Sequence, residues 1–136
     1  MFKKLIPFLL LLFFGRAMAY ENPIEIIEYI DDVKVVAYIN KSDITEKLQW
    51  TPLESPVPLS IDDALRAVQN YIKSDKDIAD FKLSGIELKR IARYEMYWHY
   101  LVKLKYKSDG RMRPHFYVVL MDGKVISALR EPESIK

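Results

Sequence analysis

The spacing of apolar positions changes along the chain, and each change marks an element. From residue 61 to 72, Ile61, Ala64, Leu65, Val68, Tyr71 and Ile72 recur every three to four positions. Asp62, Arg66, Gln69, Asn70 and Lys73 fill the positions between them, which predicts a helix with one apolar stripe. Ser60 is its N-cap candidate. Asp63, three residues on, can return a hydrogen bond and meets the positive end of the helix dipole.

From Phe81 onward the period is two. Residues 83–93 read as a strand with an irregularity at Gly85. Residues 97–107 alternate most cleanly. Trp98, Tyr100, Val102, Leu104 and Tyr106 fall on one face, and Tyr97, His99, Leu101, Lys103 and Lys105 on the other. Ser108-Asp109-Gly110 turns the chain into a strand over 115–121. Asp122-Gly123 is a tight-turn signal before a last strand over 124–129.

Ahead of the helix, residues 24–30 and 33–39 are rich in Ile, Val and Tyr, with Asp31-Asp32 between them. Their β-branched content predicts a pair of strands, although Ile24, Ile27 and Ile30 also suit one short helix. Residues 40–47 are polar. Residues 49–58 contain Pro52, Pro56 and Pro58 and read as an extended connection. The charged stretch 74–80 reads as the loop leaving the helix. Strands, one helix, then three or four antiparallel strands define an α+β fold. The apolar stripe of the helix is expected to pack on the apolar face of an antiparallel sheet.

The first residues follow another logic. Lys3 and Lys4 precede ten residues, Leu5 to Phe14, that are apolar apart from Pro7. Gly15 and Arg16 end the run, and Ala17-Met18-Ala19 places small residues where a signal peptidase accepts them. A membrane-spanning helix needs about 20 apolar residues, so a cleavable signal is expected over 1–19, with cleavage between Ala19 and Tyr20. The expected location is periplasmic or secreted, without stable membrane insertion. The chain contains no cysteine, so neither a disulfide nor a lipid-bearing cysteine supports it.

Without the first 19 residues the chain holds 18 basic and 19 acidic side chains. Residues 20–63 carry ten acidic and three basic groups, and residues 64–136 carry fifteen basic and nine acidic. Two halves of opposite sign are expected to neutralise each other across one folded surface. The basic and aromatic mixture of residues 89–113 has the ingredients of a single-strand nucleic-acid binder. Its alternation assigns Trp98, Tyr100 and Tyr106 to the core, however, and no nucleic-acid partner is expected.

Catalytic chemistry has little to build on. His99 and His115 can share a metal only if they point to one face, and no short-spaced ligand pair accompanies them. Ser60 is explained as a cap, and Asp62-Asp63 by the helix dipole. No catalytic residue, metal site or cofactor is expected. The remaining candidate is a surface. Tyr97, His99, Leu101, Tyr117 and Val119, rimmed by Lys103 and Lys105, are expected on the sheet face away from the helix. There they either bind a partner or pack under the N-terminal strands.

Several local words resemble small secreted proteins of the PepSY-like type. They are Trp50-Thr51-Pro52, Pro58-Leu59-Ser60 opening the helix with Ala64, and Tyr97-Trp98-His99-Tyr100. The run Val118-Val119-Leu120-Met121-Asp122-Gly123-Lys124-Val125 completes the set. The resemblance covers residues 50–129. It implies a cystatin-like helix on an antiparallel sheet; the chain is thus expected to divide into an N-terminal strand region and Pro-rich connection over 20–58, a helix-plus-sheet domain over 59–130 and a polar tail over 131–136. It also implies a non-catalytic role outside the cytoplasm, with binding or restraint of peptidases among the roles proposed for such domains. The expected function is therefore contact with an envelope or secreted protein. The alternative is a small-ligand carrier with a pocket between helix and sheet.

Overall fold

In the computed structural model, which describes residues 22–74 and 78–130, the two N-terminal segments are strands rather than a helix. β1 (Ile24–Ile30) and β2 (Val33–Ile39) pair antiparallel, Ile30 opposite Val33. Asp31 and Asp32 join them with φ of 49° and 64°. Positive φ at both central residues is the turn whose twist suits a two-residue hairpin. The expected signal, its Ala19–Tyr20 junction and the tail over 131–136 lie outside the described residues.

The helix α1 (Ile61–Lys73) starts where its cap predicts. Ser60 Oγ accepts from the Asp63 amide at 3.1 Å, and Ala64, Val68 and Ile72 are its buried positions. Four strands follow as an antiparallel meander: β3 (Ala79–Ile91), β4 (Tyr94–Ser108), β5 (Arg111–Leu120) and β6 (Val125–Ser127). β7 (Leu129–Arg130) leaves this sheet and pairs with β2, giving a second sheet of order β1-β2-β7. The last expected strand is thus two short ones. Buried Ala128 is the point where the chain changes sheet.

The fold is α+β, with the helix packed on an antiparallel sheet, and it has three layers. Tyr100, Val102, Leu104, Tyr117 and Val119 face α1, and the Tyr71 and Tyr117 rings meet edge-on at 5.5 Å. His99, Leu101, Phe116, Val118 and Leu120 occupy the opposite face. Ile24, Ile26, Val35, Ala37 and Ile39 of the hairpin join the same apolar cluster. The four-stranded sheet is therefore the middle layer and is apolar on both faces, as a sheet covered on both sides must be.

Two turns fix the register. Asp109 and Gly110, with φ of 51° and 75°, make a two-residue turn, so Ser108 lies opposite Arg111. At the next hairpin the Gly123 amide donates to Leu120 O and the Leu120 amide to Lys124 O, both at 2.9 Å. Gly123 has a φ of 91°, the left-handed position that closes a three-residue hairpin loop.

Two segments differ from expectation. β3 begins at Ala79, so the loop after α1 is shorter than 74–80. The Pro-rich stretch is folded back rather than extended. The Glu54 amide donates to Thr51 O at 3.3 Å, and Leu53 has a φ of 73°. Pro52 before a positive-φ residue is the pattern of a type II turn. The Trp50 indole N–H ties this turn down by donating to Ser55 O at 2.9 Å, and the ring meets Trp98 edge-on at 5.2 Å. Between Arg90–Trp98 and Ile91–Tyr94, β4 carries three residues with no partner on β3. The bulged residues bind the loop instead, through the Trp50 amide to Met96 O at 3.0 Å and a bridge between Gln49 and Tyr97.

Candidate functional site

The structure does not bring the six expected surface residues together. Because the turn at Asp109-Gly110 has two residues, odd positions of β4 lie opposite even positions of β5. Tyr117 and Val119 therefore lie beneath α1, on the other face from Tyr97, His99, Leu101 and Lys103. His99, Leu101, Tyr117 and Val119 are all buried. Tyr97 accepts a hydrogen bond from Gln49 Nε2 at 3.0 Å, and its ring packs against Tyr94. Lys103 faces Glu28 at 4.0 Å and Glu87 at 3.7 Å. The expected patch is divided between two covered faces, Tyr97, His99, Leu101 and Lys103 on the side of the β1–β2 hairpin and Tyr117 and Val119 under α1.

The two histidines are likewise divided between faces. His99 is 1% exposed, directly opposite Lys89 on β3, and burial followed by the nearby Lys89 charge lowers its pKa to about 4, against a smaller upward pull from Glu28. His115, on the helix face, has Nε2 at 3.1 Å from Ser127 Oγ and its ring against Tyr106 and Tyr117. The middle sheet separates them. Among the described residues no three His, Asp or Glu side chains converge on a metal position.

One open region is the margin of the middle sheet beside the helix. α1 lies over β4, β5 and β6, and β3 is the edge strand. A groove of about 310 Å³ follows. Leu65 and Val68 form the α1 side, Phe81 and Leu83 the β3 side, and Val102 and Leu104 the floor. Asp62 and Arg66 stand at the rim, paired at 2.9 Å; that hydrogen bond raises the Arg66 pKa further. The opposite margin of β3 is charged. Lys89 Nζ lies 2.9 Å from Glu28 and 3.3 Å from Glu87. The Glu28 hydrogen bond raises the Lys89 pKa, and the Lys89 hydrogen bond chiefly lowers that of Glu87.

The irregularity expected at Gly85 is a β-bulge. Leu83 pairs with Leu104 and Gly85 with Lys103, so Ser84 is an extra residue. The bulge resets which side chains share a face. Phe81, Leu83, Ile86 and Leu88 all lie on the helix side, although their numbers change parity. The sequence shows a strand here but not its place in the sheet, and the odd numbers of Phe81 and Leu83 against the even number of Leu88 hide that they share a face. An apolar face on an edge strand is visible only once pairing order is known.

Comparison with protein-family models, with curated proteins and with solved structures finds no match for the chain. Among the described residues, no helix is long and apolar enough to cross a membrane.

Proposed function

We propose that the chain is an exported PepSY-like module that acts by protein contact rather than catalysis, using the β3 edge and the groove beside it. The carrying observation is the exposure of Phe81, Leu83 and Leu88 along one edge strand next to an open apolar groove. An edge strand offers unpaired backbone amides and carbonyls. A partner chain that pairs there takes affinity from main-chain hydrogen bonds and specificity from side chains set into adjoining pockets. The signal-like N-terminus and the PepSY-like words support export and a non-catalytic role. Restraint of an exported peptidase is the form of contact that the resemblance favours.

The groove also supports a second reading, carriage of a small apolar ligand, because its volume falls in the range of small-molecule sites. One experiment separates the two. Purified wild-type protein and Leu83→Asp are used as baits in envelope extract, and both proteins and small molecules bound to each are identified by mass spectrometry. Protein contact predicts an exported protein held by wild type and lost from Leu83→Asp. Identical protein sets on both baits overturn it. A small apolar molecule held by wild type alone favours carriage instead.

A further inference from the structure

The β3 edge carries a pattern that another copy of β3 completes. Its exposed large apolar residues, Phe81 at 37%, Leu83 at 51% and Leu88 at 38%, share the helix face with Ile86. On the other face stand Lys82 and Glu87. Lys82 lies directly opposite Lys105 of β4, a like-charge pair that is unfavourable across strands. Among the described residues no carboxylate forms an ion pair with Lys82. Glu87 holds Lys89 and Lys103 yet stays about half exposed, at 46% of its side chain.

Resting on the protein-contact reading, we propose that β3 pairs antiparallel with β3 of a second copy, about a two-fold axis between Ser84 and Gly85. In that register Phe81 of each copy lies opposite Leu88 of the other, and Leu83 opposite Ile86. Lys82 lies opposite Glu87, twice by symmetry. Residues opposite each other across antiparallel strands must share a face. In a regular strand residues 81 and 88 would point to opposite faces, and the register would fail. The bulge at Ser84 is what places Phe81, Leu83, Ile86 and Leu88 together.

The same bulge selects the partner. Bulges on edge strands discourage indiscriminate pairing, since a regular strand cannot follow the irregularity. A second β3 carries the identical irregularity at the two-fold axis and can follow it. A register centred on Leu88 sets Glu87 opposite Lys89 but leaves Phe81 and Leu83 without apolar partners. The two middle sheets then join into one eight-stranded layer with both helices on the same side. This contact is isologous and closed. It leaves no β3 edge free for further growth, so an exported protein that uses this edge must displace the second copy.

The test uses charge exchange. Light scattering after size-exclusion chromatography is expected to give wild type twice its chain mass, and Lys82→Glu and Glu87→Lys each the single-chain mass. In the first variant Glu faces Glu, and in the second Lys faces Lys. An equimolar mixture restores opposite charges at both positions and is expected to return to twice the chain mass. Wild type that stays monomeric to its solubility limit overturns the proposal and leaves the capture experiment to decide the protein-contact reading. So does a mixture of folded variants that stays monomeric. Glu87 also binds Lys89 and Lys103 within its own chain, so circular dichroism checks that its variant folds. Lys82→Glu breaks no internal ion pair among the described residues and decides alone: an unchanged dimer overturns the proposal, and its loss supports it.

Discussion

Both ring nitrogens of His99 are buried without a hydrogen-bond partner among the described residues, under the hairpin and beside Lys89. Burial and then the Lys89 charge favour the neutral ring, and the pKa falls from 6.5 to about 4. The unfolded chain therefore binds a proton more readily between those values, and stability falls as pH drops through that window. Its full depth, below the folded pKa, is on the order of 3 kcal/mol. Urea unfolding at pH 7, 5 and 4 checks this. His99→Leu is expected to remove the histidine part of the slope, leaving the loss from carboxylates such as Glu87, whose lowered pKa makes it stabilise less as it protonates. Equal pH slopes in variant and wild type would sink the assignment. The sequence placed His99 on the correct face of β4 but could not show its burial, because that depends on the distant hairpin over residues 24–39 at the start of the fold.

At the scale of elements, helix and hairpins were legible because their signals are local. Ser60, the stripe from Ile61 to Ile72, and the turns at Asp31-Asp32, Asp109-Gly110 and Asp122-Gly123 each act within a few residues. Strand order and facing were harder, since the two-residue turn reverses parity between β4 and β5, and the Ser84 bulge reverses it again within β3. The Pro-rich loop misled for a different reason. Three prolines suggest extension, but Pro52 also presets the first central position of a type II turn. Leu53 holds the second position at a φ of 73°, fully exposed and making no apolar use of its side chain. A left-handed conformation costs a residue with a Cβ about 1–2 kcal/mol, part of which glycine returns as unfolded-chain entropy. Leu53→Gly is thus expected to stabilise the protein by somewhat under about 1 kcal/mol, read as a higher thermal midpoint. A lower midpoint would show that the leucine side chain contributes to the fold.

For the whole molecule, the notable charge is Glu28. It sits on the inner face of the hairpin sheet and reaches across the layer boundary to Lys89 at 2.9 Å and Lys103 at 4.0 Å. An acidic N-terminal segment thereby meets basic strands, so part of the charge asymmetry along the sequence is cancelled between layers. Its side chain is 19% exposed, which limits screening without abolishing it. Glu28→Gln is expected to cost on the order of 1 kcal/mol at low salt and less at high salt. Chemical denaturation in urea at two salt concentrations reads both effects, and a salt-independent loss would point to packing instead. The return of β7 to β2 has a consequence for the order of assembly. Everything between Val36 and Leu129 lies within the loop that this pairing closes. The β1–β2 hairpin can form from local contacts soon after it is made, but its sheet stays one strand short until the far end of the chain arrives. Such late, long-range closure slows folding, and an unfinished chain keeps one flank of β2 unsatisfied throughout its synthesis.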